Sequence, residues 1–139
     1  MPRSASPPWA LVVEDDPHLR EQLTRWLHLA GLTCHAVADG QEALRHLLHS
    51  RSYPCVMLAD VDLPHIDGLT LRKLLLLQAD LARIPFVMMS DTADGWATRA
   101  RSVGAVACLQ KPFGKSELLR LLAPYFHPVG AALEGPSGC

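Results

Sequence analysis

Five short apolar runs alternate along the chain with longer segments in which apolar residues recur at helical spacing. Each run is about as long as a strand, and most are apolar at successive positions. The runs cover residues 10–13, 33–38, 55–59, 85–89 and 106–110. Successive apolar residues are typical of strands that are covered on both faces. The pattern therefore predicts five strands, each buried between layers of other elements.

The segments between the runs place their apolar residues on single stripes, as helices that pack on a sheet do. The predicted helices cover residues 17–30, 41–50, 68–79, 93–102 and 115–124. In the first helix, the stripe consists of Leu19, Leu23, Trp26, Leu27 and Ala30. A strict alternation of strand and helix predicts an α/β fold with a parallel sheet, right-handed crossovers and helices on both faces.

The third predicted helix carries a run of leucines, 74–77, that covers more than one helical face. A helix with apolar residues on several faces is typically buried on more than one side. The alternative is that the extra leucines form a surface for a partner protein. We expect the first arrangement, a helix packed on two sides.

Length and composition place the chain among ordinary single domains. It has 139 residues, and 49% of them are hydrophobic, which is enough for a substantial core. We expect the domain at 10–126, between flexible segments at 1–9 and 127–139, of which the second is rich in Gly, Pro and Ser. The net charge of -1 provides no basic field for nucleic acid.

Nothing in the sequence indicates a membrane or a secretory route. No apolar run approaches the roughly 18 residues that a membrane helix needs, and residues 1–8 lack the apolar segment of a signal peptide. The four cysteines are widely spaced and form no metal-binding pattern. Free thiols are typical of a reducing compartment, so we expect a cytoplasmic protein.

Polar side chains follow four of the five predicted strands, at the point where each strand ends. They are Glu14, Asp15 and Asp16 after the first, Asp60 after the third, Ser90 and Asp91 after the fourth, and Lys111 after the fifth. The carboxyl ends of parallel strands lie at one edge of the sheet, and that edge carries the ligand site. The pattern therefore predicts a polar site at this edge.

The predicted site crowds three carboxylates, those of Glu14, Asp15 and Asp60. Two unit charges about 4 Å apart repel by about 4 kcal/mol at an effective dielectric constant near 20, so such a cluster needs a cation. Compact oxygen ligands favour Mg²⁺, which also accepts a phosphate oxygen. Lys111 and Ser90 add an ammonium and a hydroxyl, and together these groups are what phosphoryl transfer requires.

Four segments of the sequence resemble the motifs of one family. They are "VVEDDP", "LADVDLPHIDG", "VMMSD" and "GAVACLQKPF", in this order between about Leu11 and Leu122. The sequence resembles the receiver domain of two-component response regulators. The resemblance implies a single doubly wound, flavodoxin-like sheet of five parallel strands in the order 2-1-3-4-5, which places the first strand beside the third.

The resemblance also implies a role for each acidic residue of the site. Asp60 corresponds to the phosphorylated aspartate. Asp15 and Asp60 correspond to direct ligands of Mg²⁺, and Glu14 to a residue that acts on the metal mainly through water. The backbone carbonyl of Asp62 corresponds to a further metal ligand.

Ser90 and Lys111 correspond to the residues that hold the phosphoryl oxygens, and the resemblance implies a cis peptide between Lys111 and Pro112. It implies a phosphoryl donor that is either a small molecule or a phosphohistidine of a sensor histidine kinase or phosphotransfer protein. Output would pass through contact with another protein, and a homodimer is an open alternative. Such a domain is a signalling switch that phosphorylates and dephosphorylates itself, and it is not a turnover enzyme.

Two positions depart from the family pattern, and both concern switching. Asp91 stands where a small residue is usual, and Cys108 stands where an aromatic residue reports phosphorylation. We expect a carboxylate at Asp91 to slow phosphorylation by small donors, although capping of the following helix would also account for it. We expect Cys108 to be buried as a small apolar side chain, so that no aromatic rotamer switch operates.

Four further residues near the site have structural interpretations. Asp16 precedes Pro17 and is predicted to cap the first helix, and Asp67 with Gly68 is predicted to open the third. His65 is predicted to be an exposed loop residue.

Two other functions remain as alternatives. A pseudo-receiver would bind partners without being phosphorylated, and the departures at Asp91 and Cys108 motivate it. A phosphatase of the haloacid dehalogenase type would use Asp60 and Asp62 as its DxD pair, but in that family the pair ends the first strand. A longer parent protein with an output domain would contain the same receiver sequence.

Overall fold

The structure is a computed structural model, and it describes residues 7–91 and 95–126. The predicted C-terminal tail at 127–139 and most of the predicted N-terminal segment lie outside the described residues, as do the first two residues of the helix predicted at 93–102.

Five parallel strands form one sheet. They are β1 (Trp9–Val13), β2 (Thr33–Val37), β3 (Val56–Asp60), β4 (Phe86–Ser90) and β5 (Ala107–Gln110), in the order β2-β1-β3-β4-β5. This order and the parallel arrangement confirm the predicted fold. The register places Val13 beside Ala59, and Asp60 beside Met89, so the carboxyl ends of neighbouring strands lie level with one another.

The helices connect the strands in chain order. They are α1 (Pro17–Leu29), α2 (Gly40–His49), α3 (Gly68–Leu75), α4 (Ala79–Ala82), α5 (Trp96–Ser102) and α6 (Lys115–Leu122), followed by a 3-10 turn at Ala123–Tyr125. Five of these match the predicted helices, and the four-residue α4 was not predicted. Among the described residues, no helix is long and apolar enough to cross a membrane.

Each strand contributes to two hydrophobic clusters, one on each face of the sheet. In β1, Leu11 and Val13 join the cluster that contains side chains of α2, α3, α4 and α5, while Ala10 and Val12 join the cluster that contains side chains of α1 and α6. Successive side chains of a strand point to opposite faces, so continuous apolar runs follow directly from helices on both faces.

Aspartates begin the three helices that follow β1, β2 and β3. The side chain of Asp16 accepts a hydrogen bond from the amide of His18, and that of Asp67 accepts one from the amide of Thr70. Asp39 does the same for the amide of Glu42. These bonds satisfy amides that have no partner within their own helix. The predicted capping roles of Asp16 and Asp67 are confirmed.

The leucine run at the end of α3 packs differently from the prediction. The helix ends at Leu75, which is fully buried, whereas Leu76 and Leu77 are 43% and 80% exposed. After Leu75 the amides of Leu77 and Gln78 bond to carbonyls three residues back, which tightens the chain into a turn. The expected two-sided packing is wrong, because the fully buried leucines of α3 are Leu71 and Leu75, which lie one helical turn apart on one face.

Substitution of two leucines in this run provides a test of the packing. We expect Leu75→Ala to lower the free energy of unfolding by about 2–5 kcal/mol, because it leaves a cavity in the core. Leu77→Ala removes the same atoms from an exposed position, and we expect a change within about 0.5 kcal/mol. Urea denaturation of the two variants measures both values. Equal losses would contradict the assignment of Leu75 to the core.

Candidate functional site

The predicted polar site forms at the carboxyl edge of the sheet. Glu14, Asp15 and Asp60 each offer a carboxylate oxygen, and these atoms all lie within 4.8 Å of one another. Glu14 and Asp60 are buried, and Asp15 is exposed. β1 and β3 are hydrogen-bonded neighbours in the sheet, and this pairing brings residues far apart in the sequence into one cluster.

Lys111 joins this cluster from the end of β5. Its ammonium donates a hydrogen bond to Glu14 Oε1 at 2.8 Å and another to Asp60 Oδ2. The lysine side chain is largely buried, so the two ion pairs are screened by water far less than surface pairs are. The ammonium of Lys111 therefore lies between two carboxyl groups, those of Asp60 and Glu14.

The ionisation of the cluster reflects burial and charge together. Burial raises the pKa of Glu14 to about 7, although its hydrogen bonds with Lys111 and with the amide of Asp16 act in the opposite direction. Burial alone would lower the pKa of Lys111, but its hydrogen bonds to Asp60 and Glu14 outweigh burial and raise it. The ammonium therefore stays charged between the two carboxyl groups.

Arg20, in the first turns of α1, is a residue of this site that the sequence analysis did not identify. Its Nη1 donates to the backbone carbonyl of Glu14 at 2.8 Å and to that of Asp15 at 3.3 Å. The amide of Asp16 donates to Glu14 Oε2 at 3.0 Å. Arg20 therefore holds the backbone of the acidic pair. The spacing of residues in the sequence does not predict these hydrogen bonds of Arg20, because they depend on how α1 packs over the end of β1.

The loop after Asp60 is held by main-chain groups. The amide of Asp62 donates to Asp60 Oδ1 at 2.8 Å, and the amide of Val61 donates to the carbonyl of Met89 at 2.8 Å. Gly68 packs so closely that a Cβ at this position would lie 2.4 Å from the carbonyl oxygen of Asp60. A glycine is therefore required where α3 begins, because a side chain at this position would clash with the end of β3.

Asp62 presents its backbone to the site and its side chain to solvent. Desolvation, followed by the negative charges of Asp60 and Asp91, raises the pKa of its exposed carboxyl group. This electrostatic effect places Asp91 among the charges around the site. Ser90 ends β4 and is fully buried, and its carbonyl accepts a hydrogen bond from the amide of Lys111 at 2.7 Å.

The described part of the next helix begins well after Asp91 in the chain. The helix predicted at 93–102 begins as α5 at Trp96, and its N-cap residue is Gly95. Residues 92–94 lie outside the described residues, so the capping alternative for Asp91 stays a prediction. Asp91 is exposed at the end of β4.

Cys108 is half-buried rather than buried, so the expected burial is only partly correct. It packs against the core and also lines an open groove of about 650 Å³ between α5, β5 and α6. β5 is an edge strand, and the two helices leave part of it uncovered. The groove also contains the side chains of Arg101, Glu117 and Arg120.

The remaining expectations concern the peptide bond before Pro112, the loop residue His65 and the cysteines. The peptide between Lys111 and Pro112 is cis, as the resemblance implied. His65 is an exposed loop residue, also as predicted, and it has a positive φ of 67°. Of the four cysteines, the three within the described residues, Cys34, Cys55 and Cys108, are free thiols.

Comparison with known proteins agrees with this geometry. Residues 10–123 match the family described as response regulator receiver domain. Over 111 residues the chain is 35% identical to the C4-dicarboxylate transport transcriptional regulatory protein DctD of Pseudomonas aeruginosa, a match that covers 78% of this chain and 23% of that protein.

Solved structures of receiver proteins are similar to this chain in fold. A putative response regulator from Chloroflexus aurantiacus has a TM-score of 0.79 at 31% identity, over 86% of this chain and 98% of that chain. The receiver domain of the sensor histidine kinase PA1611 from Pseudomonas aeruginosa has a TM-score of 0.78 at 28% identity, with the same coverage. A magnesium ion is coordinated in the active site cleft of the PA1611 structure.

The fold and the acidic edge define a receiver domain of two-component signal transduction. This chain belongs to the response regulator receiver domain family. Receiver domains are signalling switches that bind Mg²⁺ at an acidic cluster, and the cluster here is the one formed by Glu14, Asp15 and Asp60. The chain spans about a quarter of the length of the curated relatives that it matches.

The raised pKa of Glu14 leads to a pH-dependence of stability in the metal-free protein. The folded state holds a proton up to about pH 7, whereas the unfolded state releases it near 4.5, so the free energy of unfolding falls as pH rises between these values.

We expect Glu14→Gln to flatten this fall, because the amide carries no charge in either state. Urea denaturation of both proteins at about pH 5 and about pH 7.5, with a chelator present, measures the difference. All other ionisable groups are common to both proteins, so their effects cancel in the comparison. Equal falls in the wild type and the variant would contradict a raised pKa at Glu14.

Proposed function

We propose that this receiver accepts a phosphoryl group on Asp60 from a sensor histidine kinase or a histidine phosphotransfer protein. The observation that supports this most directly is the position of the Asp60 carboxylate. It lies buried at the end of β3, bonded to Lys111 and within 4.8 Å of the other two carboxylates of the cluster. Acceptance means that a carboxylate oxygen forms a bond to phosphorus while the bond from phosphorus to the imidazole nitrogen of the donor breaks.

The residues of the cluster fit the magnesium ion of the family. Hard carboxylate oxygens from Glu14, Asp15 and Asp60 are the ligands that Mg²⁺ takes, and the backbone carbonyl of Asp62 would add another, with Glu14 acting mainly through water. Bound there, the ion would neutralise the charge of the cluster and of the incoming phosphoryl oxygens.

The protein's own groups orient the acceptor and balance its charge. The amide of Asp62 holds Oδ1 of Asp60, and the ammonium of Lys111 lies at Oδ2. Lys111 would move from the carboxylate to a phosphoryl oxygen as the new bond forms, and the Ser90 hydroxyl would bind another. These preorganised donors stabilise charge that develops on the transferred group.

Output would pass through contact with another protein in the cytoplasm. The relative DctD is a transcriptional regulatory protein, and a receiver within a longer regulator would act on its attached domain in the same way. The half-buried Cys108 replaces the usual aromatic residue in the groove between α5, β5 and α6, so the read-out would proceed without an aromatic rotamer switch.

Both alternative functions make a different prediction for labelling. A pseudo-receiver would gain no phosphoryl group, and a phosphatase would turn over many equivalents of a phosphate ester. The departures at Asp91 and Cys108 are the observations that favour a pseudo-receiver. Labelling with acetyl phosphate therefore separates the receiver from the pseudo-receiver, and turnover of an added phosphate ester by substoichiometric protein tests the phosphatase.

We expect the wild type to gain the mass of one phosphoryl group when it is incubated with acetyl phosphate and Mg²⁺. Asp60→Asn should gain none, because the amide is not a nucleophile for phosphorus. Asp62→Asn is the matched control: its backbone is unchanged, so its final gain in mass should equal that of the wild type. Intact mass spectrometry measures all three proteins, with a chelator to test the metal requirement. Labelling of Asp60→Asn would show that Asp60 is not the acceptor.

We further expect Asp91→Ala to label several-fold faster than the wild type at low salt. Removal of this exposed carboxylate reduces repulsion of the incoming phosphoryl dianion, and the gain should shrink as salt screens the charges. Asp80→Ala is the control, since it removes an exposed carboxylate on α4. The rate of mass gain is the measurement, and a rate equal to that of the wild type would refute the electrostatic role of Asp91.

A further inference from the structure

The three carboxylates of the acidic cluster differ in how firmly their own contacts hold them. Glu14 is bonded through both oxygens, to Lys111 and to a backbone amide. Asp60 is likewise bonded through both oxygens, to Lys111 and to another backbone amide. The carboxylate of Asp15 is exposed, and within the part of the chain that the structure describes it accepts no hydrogen bond and forms no ion pair. The direction of Asp15 therefore depends on the main chain that carries it.

Arg20 holds that main chain from the side of α1. Its Nη1 donates to the carbonyl of Glu14 at 2.8 Å and to the carbonyl of Asp15 at 3.3 Å. From the side of the sheet, the amide of Glu14 donates to the carbonyl of Val37 in β2 at 3.0 Å. The acidic pair is thus fixed between β2 and α1, and Arg20 provides the contact at Asp15.

Arg20 is itself fixed by the first turns of α1. Its amide donates to the carbonyl of Asp16 at 2.9 Å, and the hydroxyl of Thr24 donates to its carbonyl at 2.8 Å. The side chain is half-buried. A planar guanidinium that starts from a fixed helix and ends on two carbonyls has few other conformations available. The position of α1 is therefore transmitted to the backbone of the acidic pair.

The charge of Arg20 and its hydrogen bonds have opposite effects on a metal site. A guanidinium beside the cluster repels a divalent cation, so its charge alone lowers the affinity for Mg²⁺. Its hydrogen bonds raise that affinity, because Mg²⁺ requires near-ideal geometry and groups that orient a ligand strengthen binding. The affinity of the protein for Mg²⁺ after removal of Arg20 therefore shows which effect is larger.

We propose that Arg20 is a positioning residue for Mg²⁺, which fixes the backbone of Glu14 and Asp15 so that the Asp15 carboxylate is directed into the cluster. This gain outweighs the repulsion between the guanidinium and the metal. The proposal rests on the metal site of the proposed function and not on phosphoryl transfer, because binding of Mg²⁺ is measured without a phosphoryl donor.

Isothermal titration calorimetry with Mg²⁺ alone tests the sign of the effect. At about pH 8 Glu14 is ionised, since burial raises its pKa only to about 7. For Arg20→Met, which keeps an apolar stem, we expect the Kd for Mg²⁺ to rise at least about tenfold. Arg25→Met is the matched control, because it removes an exposed guanidinium from the same helix, and its Kd should stay within about twofold of the wild-type value. Binding by Arg20→Met as tight as in the wild type, or tighter, would overturn the proposal.

A double-mutant cycle tests whether Arg20 acts through Asp15. Asp15→Asn weakens binding of Mg²⁺ by itself, and addition of Arg20→Met should then raise the Kd by less than about twofold, because the carboxylate that Arg20 positions is gone. A general structural role of Arg20 would instead give the full tenfold rise in both backgrounds, and that result would contradict the proposal.

Two further measurements guard against an unfolded variant. Labelling of Arg20→Met by acetyl phosphate at saturating Mg²⁺ should reach the wild-type rate, while labelling at low Mg²⁺ should be slower; a rate that saturating Mg²⁺ does not restore would count against a role in metal binding. Arg20→Lys retains the charge on a shorter side chain, so it keeps the repulsion and weakens the backbone contacts. We expect its Kd to rise at least about threefold, and a wild-type Kd would overturn the proposal.

Failure of the proposed function has a separate signature. A wild type that binds Mg²⁺ but gains no phosphoryl mass contradicts the acceptor role of Asp60, and the order of the Mg²⁺ affinities still decides the role of Arg20. A wild type that binds no Mg²⁺ overturns the proposal for Arg20 itself.

Discussion

Repulsion between carboxylates at one edge of the sheet is the constraint on which the rest of the site depends. Glu14 and Asp60 are buried there, Asp15 lies beside them, and one ammonium, that of Lys111, is bonded to the first two. A single positive charge does not balance three carboxyl groups. Burial therefore keeps Glu14 partly protonated near neutral pH, and it makes the cluster a receptive site for a divalent cation. The same imbalance accounts for both the metal and the acceptor chemistry of the family.

Main-chain groups hold this unfavourable arrangement in place. Arg20 donates hydrogen bonds to the backbone carbonyls of Glu14 and Asp15. The amide of Asp62 donates one to Asp60, and Gly68 allows α3 to begin against the end of β3. Backbone contacts of this kind maintain the geometry even when the ionisation of the side chains changes. Further from the site, Arg72 attaches the end of α5 to α3.

Prediction from sequence succeeded where the signal was local or followed from the parallel pairing of strands. It failed where the outcome depended on where a helix ends or on how closely neighbouring elements pack. The caps at Asp16 and Asp67 were predictable, because an aspartate before a helix bonds amides two or three residues away. The end of α3 at Leu75 was not, because periodicity continues through Leu77 and says nothing about where the sheet surface stops. The half-exposed Cys108 was likewise unpredictable, since burial at an edge strand depends on how closely α5 and α6 approach.

The sequence by itself determined the order of strands and helices, the two apolar faces of the sheet, and the polar side chains at four strand ends. These follow from local periodicity and from the rule that parallel strands share an edge for their carboxyl ends. Only the tertiary structure decided that Glu14 and Asp60 share one ammonium. It also decided that Arg72 binds carbonyls 10, 31 and 32 residues away. The pairing of Lys111 with Glu14 joins positions 97 residues apart. No local pattern encodes such a contact, because its geometry is set by the packing of the whole sheet.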